Sequence, residues 1–488
     1  MKIKYLSPED RKNLHILRRA TDSQEIVEIL RAILKRPFYT MQALWEYRRW
    51  FLMLTDEQLG AYPELVCGLI QILIIDGELD RAYQLTESLP KDSIYQIKTK
   101  MMLPGIDEDE RMRVMRLIRE RNWGGTGQVL TGGRPSVING IWDITPYYED
   151  ILQEKETIKD SLRLLYPDNW SLIYDIARAE VMYQQNDCYN ALVLVVSTIP
   201  YLKEQQDMRI LFAALALEMF ILVLNGQAST SEALITNLQQ QIREKNLEAY
   251  LPNVAAMTAW AAMYDGDYAK VARWMREAAP DEFGRFCMLD LFRYMVKMRA
   301  YIIQGKYLAV TSLAGRLQPL LEKGGRQKDL CELHLIWAMS EHGAGRTEEA
   351  LEHLGRALEL SERYRYDRLI ADEAQRIYIL LKLYRRRFGK SPYLDSVLVM
   401  TEKAAAIHPK YLKSQLPEKP ALTETELRIL RLVADCKTNA EIAEISEIAV
   451  ETAKRHCKNI FAKLEVKNRH QAVQRAIELG ILEPGVLG

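Results

Sequence analysis

Residues 422–482 read LTETELRILRLVADCKTNAEIAEISEIAVETAKRHCKNIFAKLEVKNRHQAVQRAIELGIL, and this stretch decides the fold of its end of the chain. Thr423, with Glu426 three residues on, is the signature of a capping box and opens a helix running to about Cys436. Thr438 or Asn439 caps a second helix over roughly Glu441 to Ser446. After a short turn, Val450 to Leu464 form a third, and Asn468 begins a fourth that stops at Gly480. Four short helices with one tight turn between the second and third predict a helix-turn-helix unit.

Sorting the third helix by its period separates two faces. Ala453, Cys457, Ile460, Phe461 and Leu464 share one and are expected to pack inward. Glu451, Lys454, Arg455, Lys458 and Ala462 share the other. From Ala449 to Leu464, Lys454, Arg455, Lys458 and Lys463 stand against Glu451 alone, so a segment of a neutral chain carries a net +3. Such a helix suits insertion into a DNA major groove. A charge run of this kind also describes an ordinary solvated helix face, and the four-helix arrangement is what tips the reading toward DNA.

The whole segment resembles the LuxR/FixJ-type DNA-binding domain. The matching positions are Leu422, Thr423, Glu426, Leu430, Asn439, Glu441, Ile442, Ala443, Ile448, Thr452, Lys454, His456, Asn459, Ile460, Lys463, Leu464, Val466, Arg469, Ala472 and Val473. The resemblance implies that the third helix enters the groove with Lys454, Arg455 and Lys458 toward base edges. It assigns Thr452, Asn459 and Lys463 to phosphates, with Thr438 and Asn439 approaching phosphates from the second helix. Arg455 is the foremost candidate for guanine, because Arg to guanine is the commonest specific contact. His456 sits at the edge of the apolar face, where packing or local bonding is expected. The fourth helix often serves the family as a dimer surface, and here it would offer Ala472, Ala476 and Leu479. A homodimer on DNA would read two half-sites.

Departures from the family bear on stability. It commonly has Arg at Thr425, Gly at Cys436, Leu at Ser446, Ser at Ala449 and Val at Ala453. Ala449 lacks the side-chain oxygen that caps a recognition helix, a loss of about 1 kcal/mol. Ser446 and Ala453 thin the small core.

Upstream, the chain repeats. Helical hairpins pivot at Asn186, Gly226, Gly266, Gly305 and Gly345, spaced by 40, 40, 39 and 40 residues, with an earlier copy at Gly77 and a later one at Gly389 displaced by four. A small or branched apolar residue follows most pivots by five positions: Ala82, Ala191, Val271, Val310 and Ala350. After Gly226 that place holds Ser231, and Ala233 is expected to take the packing role. Glycine ends the first helix in left-handed backbone, and the small residue lets the second approach closely. Hairpins that cannot bury their own apolar stripe stack into a superhelix, as in tetratricopeptide-like repeats, although the period exceeds the usual length of about 34 residues and the usual Trp-Leu-Gly signature is missing.

Between Gly77 and Asn186 the beat carries an excess of 29 residues, placed near WGGTGQVLTGGRPSVINGIWD, Trp123 to Asp143. This Gly-rich insertion is expected to be an ordered loop or short hairpin. Gly127 and Gly132 are followed by Gly133 and Arg134, without the lysine, the hydroxyl or the preceding strand of a phosphate loop, so no nucleotide site is expected.

The stretch from Trp50 through Pro90, together with GGRPSVINGIWD, resembles the helical repeat domain of MalT-like LuxR regulators. In large members an ATPase and a winged-helix module precede the repeats. Here Met1 lies about fifty residues before them, so the reading expects those modules to be absent. By the same resemblance the repeats bind a small-molecule or protein effector. Trp260, Tyr264, Trp274, Tyr301 and Trp337 could line its surface, although large residues at helical spacing more often fill a core.

Composition adds limits. Lys plus Arg and Asp plus Glu are both 66, so any DNA site must be a local patch. Six scattered cysteines without a Cys-x-x-Cys suit a reducing cytoplasm. The longest apolar run, Leu211 to Leu224, is broken by Glu218 and is too short for a bilayer, which points to a buried helix. The N-terminus lacks a signal peptide's pattern. Cys331, His334, His342 and His353 match no standard zinc spacing, and no nucleophile–base pair stands out, so neither enzyme activity, cofactor nor metal is expected.

The expected architecture is therefore all-α: an N-terminal helical segment at 1–49, a tetratricopeptide-like superhelix at 50–412 with the insertion at 123–143, a Pro-containing linker at 413–420, and a four-helix LuxR-type helix-turn-helix domain at 421–488. The expected function is a cytoplasmic transcriptional regulator that binds double-stranded DNA. The alternative is a protein-interaction scaffold with a vestigial DNA-binding domain.

Overall fold

The structure, a computed structural model, describes residues 6–35, 41–125, 131, 133–205, 207–413, 422–464, 466, 468–478 and 481–482. Among these residues every regular element is helical, and the one β pairing is an isolated antiparallel bridge between Asn139 and Asp143. The chain divides into two compact units. One is Met1–Ile302 with Lys306–Lys413, and the other is Ser414–Gly488 with Ile303–Gly305.

The larger unit is built from the expected hairpins. Its helices pair as Pro63–Asp76 with Leu79–Ser88, Trp170–Gln184 with Cys188–Gln205, Met208–Leu224 with Ala228–Glu244, Leu251–Asp265 with Tyr268–Glu277, Leu291–Ile303 with Tyr307–Lys323, Gln327–Gly343 with Thr347–Tyr364, and Ala374–Phe388 with Pro392–Ile407. Backbone φ is positive at every pivot, from +68° at Asn186 to +96° at Gly389. Glycine adopts that conformation without a Cβ clash, and asparagine tolerates it. Ala82, Ala191, Val310 and Ala350 are fully covered five residues later.

Ala233 departs from expectation. It is exposed, and Ser231 is the buried residue at that pivot. Two further positions along a helix rotate a side chain by about 200°, so register outranks apolarity there.

In every pair but the last, Ala374–Phe388 with Pro392–Ile407, the first helix is the more buried one. Met208–Leu224 is covered on nearly every side, with Leu211, Ala214, Leu217 and Ile221 all buried. That accounts for its apolar composition, and among the described residues no helix is long and apolar enough to cross a membrane. The N-terminal helices share a core with the hairpin at 63–88, where Val27, Leu30, Tyr47 and Phe51 meet Leu69 and Leu73. The array winds far enough for that hairpin to meet a later one: Arg285 lies 3.2 Å from Glu78, and Lys323 lies 2.5 Å from Asp80.

Two of the chain's own segments occupy the interior. The first is the Gly-rich insertion, of which residues 126–130 and 132, including Gly127 and Gly132, lie outside the described residues. Its later part is tied to helices far along the chain. Arg134 and Asn139 each donate to Asp329 at 2.9 Å. Arg326 donates to Asp329 at 2.7 Å and to the carbonyl of Ile141 at 2.7 Å. Glu180 accepts from the Val137 amide at 2.6 Å and from the Ser136 hydroxyl. Asn253 donates to the Gly133 carbonyl at 2.6 Å. The insertion is thus a plug that pins several repeats together.

The second segment is the strap 408–413. Tyr411 and Leu412 are buried, with the Tyr411 ring stacked on Tyr264 at 4.1 Å and its hydroxyl donating to Glu373 at 2.7 Å. Arg376 donates to the Leu412 carbonyl at 2.9 Å, and the His408 ring lies 3.1 Å from the Leu224 carbonyl. Trp260, Tyr264, Trp274 and Tyr301 are buried and Trp337 half-buried, so these aromatics serve packing rather than an open surface.

Candidate nucleic-acid interface

Four helices, Glu424–Ala434, Asn439–Ile445, Val450–Lys463 and Arg469–Glu478, build the smaller unit. Ile429, Leu430 and Val433 of the first, Ile442 and Ala443 of the second, Ala453, Cys457 and Ile460 of the third, and Ala472, Val473 and Ala476 of the fourth form one core. Capping boxes start the first two helices, Thr423 with Glu426 and Thr438 with Glu441. The second helix therefore starts at Asn439, two residues earlier than the pattern suggested. Cys436 holds φ at +57°, a left-handed turn at the position where the family favours glycine.

The third helix has the expected two faces. Ala453, Cys457 and Ile460 are buried, while Lys454, Arg455, Lys458 and Asn459 are exposed and Thr452 is half-buried. Among the described residues Arg455 and Lys458 have no ion pair, and Lys454 makes only an exposed contact with Glu451 at 2.7 Å. His456 is half-buried at the edge of the packed face. Ala449 provides no side-chain cap, and the buried Ser446 hydroxyl has no hydrogen-bond partner.

Three of the expected phosphate contacts are already engaged inside the domain. Lys463 lies 2.6 Å from the buried Glu426, which also accepts from the Thr423 amide at 2.8 Å. Burial pushes the Glu426 carboxyl upward, but Lys463 and Thr423 outweigh it and hold it below the usual carboxylate range. Asn439 accepts from Arg469 at 2.7 Å through its side-chain oxygen, leaving its amide hydrogens as what it could offer a phosphate. Arg469 also donates to the Lys437 carbonyl, so it braces the start of the second helix. The sequence marked Arg469 only as a family position; its bracing role leaves no local signature. The Thr438 hydroxyl serves as an N-cap.

Two of the three residues expected at a dimer surface lie inside the domain. Ala472 and Ala476 are both 0% exposed, buried against the first and third helices of their own domain. A stripe of small residues marks close packing whether the neighbour belongs to the same chain or another. Leu479 lies outside the described residues.

In the larger unit, His334 and His353 meet, Nδ1 to Nδ1 at 3.1 Å, with Trp337 stacked on His353 at 4.1 Å. Burial and the neighbouring imidazole hold His334 down at about 4. Cys331 instead donates to the Ala357 carbonyl at 3.4 Å. Among the described residues no group of three metal-ligating side chains occurs.

This geometry is that of a helix-turn-helix domain behind a helical-repeat array, and comparison with known proteins agrees. Residues 166–387 match the family described as "MalT-like TPR region", and residues 420–476 match "Bacterial regulatory proteins, luxR family". A MalT-like repeat region followed by a LuxR-family domain is the arrangement of a MalT-like LuxR regulator, which this chain resembles. The response regulator proteins VraR of Staphylococcus aureus, Staphylococcus epidermidis and Staphylococcus saprophyticus are each 45% identical to it over 62 residues, 13% of this chain and 30% of theirs. The chain therefore spans less than a third of the length of these relatives, and the likeness supports a DNA-binding transcriptional regulator through the C-terminal domain alone.

Proposed function

We propose that the chain regulates transcription by binding double-stranded DNA through the third helix of its C-terminal domain. The observation that carries this reading is the exposed strip Lys454, Arg455 and Lys458, set opposite a buried face in a domain of the matching family. Arg455 reads a guanine edge through its planar fork, and Lys454 and Lys458 contact neighbouring base edges. Thr452, Asn459, Thr438 and the Asn439 amide approach phosphates. Lys463 joins them only by exchanging its contact with Glu426 for one with DNA.

The repeat region 50–412 acts as the sensor, for a small-molecule or protein effector, in a cytoplasmic protein without enzyme activity. An effector that enters the interior does so at the expense of a segment already there. The strap 408–413 leads directly into the 413–420 linker, so its displacement would lengthen the tether of the reader. A homodimer on DNA belongs to the same proposal, formed by surfaces other than Ala472 and Ala476.

The test enriches a random-sequence duplex pool by repeated binding to the full-length protein. The enriched duplexes are then titrated at two salt concentrations against wild type and Lys454→Ala/Arg455→Ala/Lys458→Ala. Sequence enrichment, steep salt dependence and loss of binding in the triple variant are expected. A pool that never narrows, or a triple variant that binds as wild type does, refutes the reading.

A further inference from the structure

A second cationic surface lies on the last repeat hairpin. The segment AQRIYILLKLYRRRFGK, residues 374–390, holds six cations and no Asp or Glu in a chain whose overall charge is zero. Two of the six are used locally: Arg376 bonds the Leu412 carbonyl, and Arg385 lies 2.8 Å from Asp395. The other four, Lys382, Arg386, Arg387 and Lys390, are exposed, and among the described residues none has an ion pair. Lys382 rests 4.2 Å over the Tyr378 ring, which leaves its charge open to solvent on one side.

Cations in the last turn of a helix complement its dipole, which explains one or two of them. It does not explain Lys382, a turn and a half before the end, or Lys390 beyond it. The exposed apolar residues beside it, Ile379 and Phe388, are few against four cations, and Phe388 packs on Tyr384 with ring centroids 4.6 Å apart, so charge dominates the patch. A surface dominated by cations is what a phosphate backbone selects.

We propose that Lys382, Arg386, Arg387 and Lys390 make a second, sequence-independent contact with the phosphate backbone of the duplex that the C-terminal domain binds. The proposal rests on the DNA-binding reading above. The linker at 413–420 is eight residues long and reaches at most about 28 Å when fully extended. DNA held by the reader is therefore kept close to the repeats, and the patch meets it at a high effective concentration. Contact there raises affinity without adding sequence information.

The experiment uses the full chain and a 60-bp mixed-sequence duplex, with affinity measured from about 50 to 200 mM salt. Three proteins are compared: wild type, Lys382→Ala/Arg386→Ala/Arg387→Ala/Lys390→Ala, and Arg455→Ala/Lys458→Ala. Each phosphate contact contributes about 0.9 to the slope of log affinity against log salt, so the patch variant is expected to lose about 3.6 from that slope. On mixed-sequence DNA the cations Arg455 and Lys458 fall back on phosphates, so the reader variant is expected to lose a smaller share, about 1.8. All four patch side chains are exposed, and an unchanged melting curve checks that the variant folds. A patch variant with the wild-type slope, beside a reader variant with a reduced one, overturns the proposal, hands the patch to an acidic protein surface and leaves the DNA reading standing. A wild-type chain that binds no duplex at any salt overturns both.

Discussion

Glu180→Gln tests whether the interior plug responds to pH. Glu180 lies buried on the inner helix Trp170–Gln184 and accepts hydrogen bonds from the Val137 amide and the Ser136 hydroxyl. Burial pushes its carboxyl up from 4.5 to about 7, although those two donors and the nearby Lys328 pull the other way. An acid whose pKa is higher in the closed state binds its proton more tightly there. The closed plug is therefore most stable at low pH, and stability is lost as pH rises from about 4.5 through 7. With those two values, linkage gives a loss of about 2.5 kcal/mol between pH 5 and pH 8, roughly 70-fold in the opening equilibrium.

Global melting is a poor readout, because repeat arrays can unfold in parts. Hydrogen exchange at the Val137 amide reports the plug directly once intrinsic exchange rates are divided out. Wild type should lose protection by roughly 70-fold more than Glu180→Gln across that range, since glutamine keeps the size and the acceptor for Val137 but cannot ionise. Equal pH dependence in the two proteins would refute the reasoning, by showing that Glu180 is hydrated or that the plug does not open around it.

Three further outcomes follow from single contacts. Asp329→Ala leaves the buried guanidiniums of Arg134 and Arg326 without their shared carboxylate and should cost about 3–5 kcal/mol, seen as a large fall in the urea midpoint of the larger unit. Gly315→Ala, in an open stretch of the helix Tyr307–Lys323, should stabilise by about 0.5–1 kcal/mol, while Gly343→Ala should destabilise, because its new Cβ would sit 2.6 Å from the Tyr307 ring. Paired thermal melts of these two variants should move in opposite directions. Ser446→Ala removes a buried hydroxyl that lacks a partner and should raise the stability of the C-terminal domain by about 1 kcal/mol, measured as a higher denaturant midpoint of its transition.

The legible features were those that leave a local mark. A pivot must be a residue that tolerates positive φ, and Asn186, Gly226, Gly266, Gly305 and Gly345 stand where the forty-residue beat puts them. Thr423 with Glu426 and Thr438 with Glu441 announce helix starts by spacing alone. The plug left no such mark. Its partners Glu180, Asn253, Arg326 and Asp329 lie up to 195 residues away, and a charged residue within an inner helix looks locally like any other. The alanines of the fourth C-terminal helix misled for a related reason: Ala472 and Ala476 fit a close neighbour, and period cannot say whose helix it is. At Gly226 register outranks side-chain chemistry, so Ser231 is buried and Ala233 exposed.

The small C-terminal domain lacks core volume at Ser446 and Ala453 and lacks a cap at Ala449, yet polar ties fix the helices around those gaps. Arg469 reaches back to the start of the second helix through Asn439 and Lys437, and Glu426 joins the start of the first helix to the end of the third through Lys463. The first contact braces the second helix, and the second pins the C-terminal end of the third without using its outer face. They also divide its charge. With Lys463 offset by Glu426, the uncompensated cations concentrate at Arg455 and Lys458, beside Lys454, in the N-terminal two-thirds of the helix. Helix-turn-helix proteins present the N-terminal part of the recognition helix to base edges. In the proposed mode the brace at Lys463 therefore does two things at once. It replaces missing apolar packing with a half-buried ion pair, and it leaves the cations of the third helix strongest where a groove would be read.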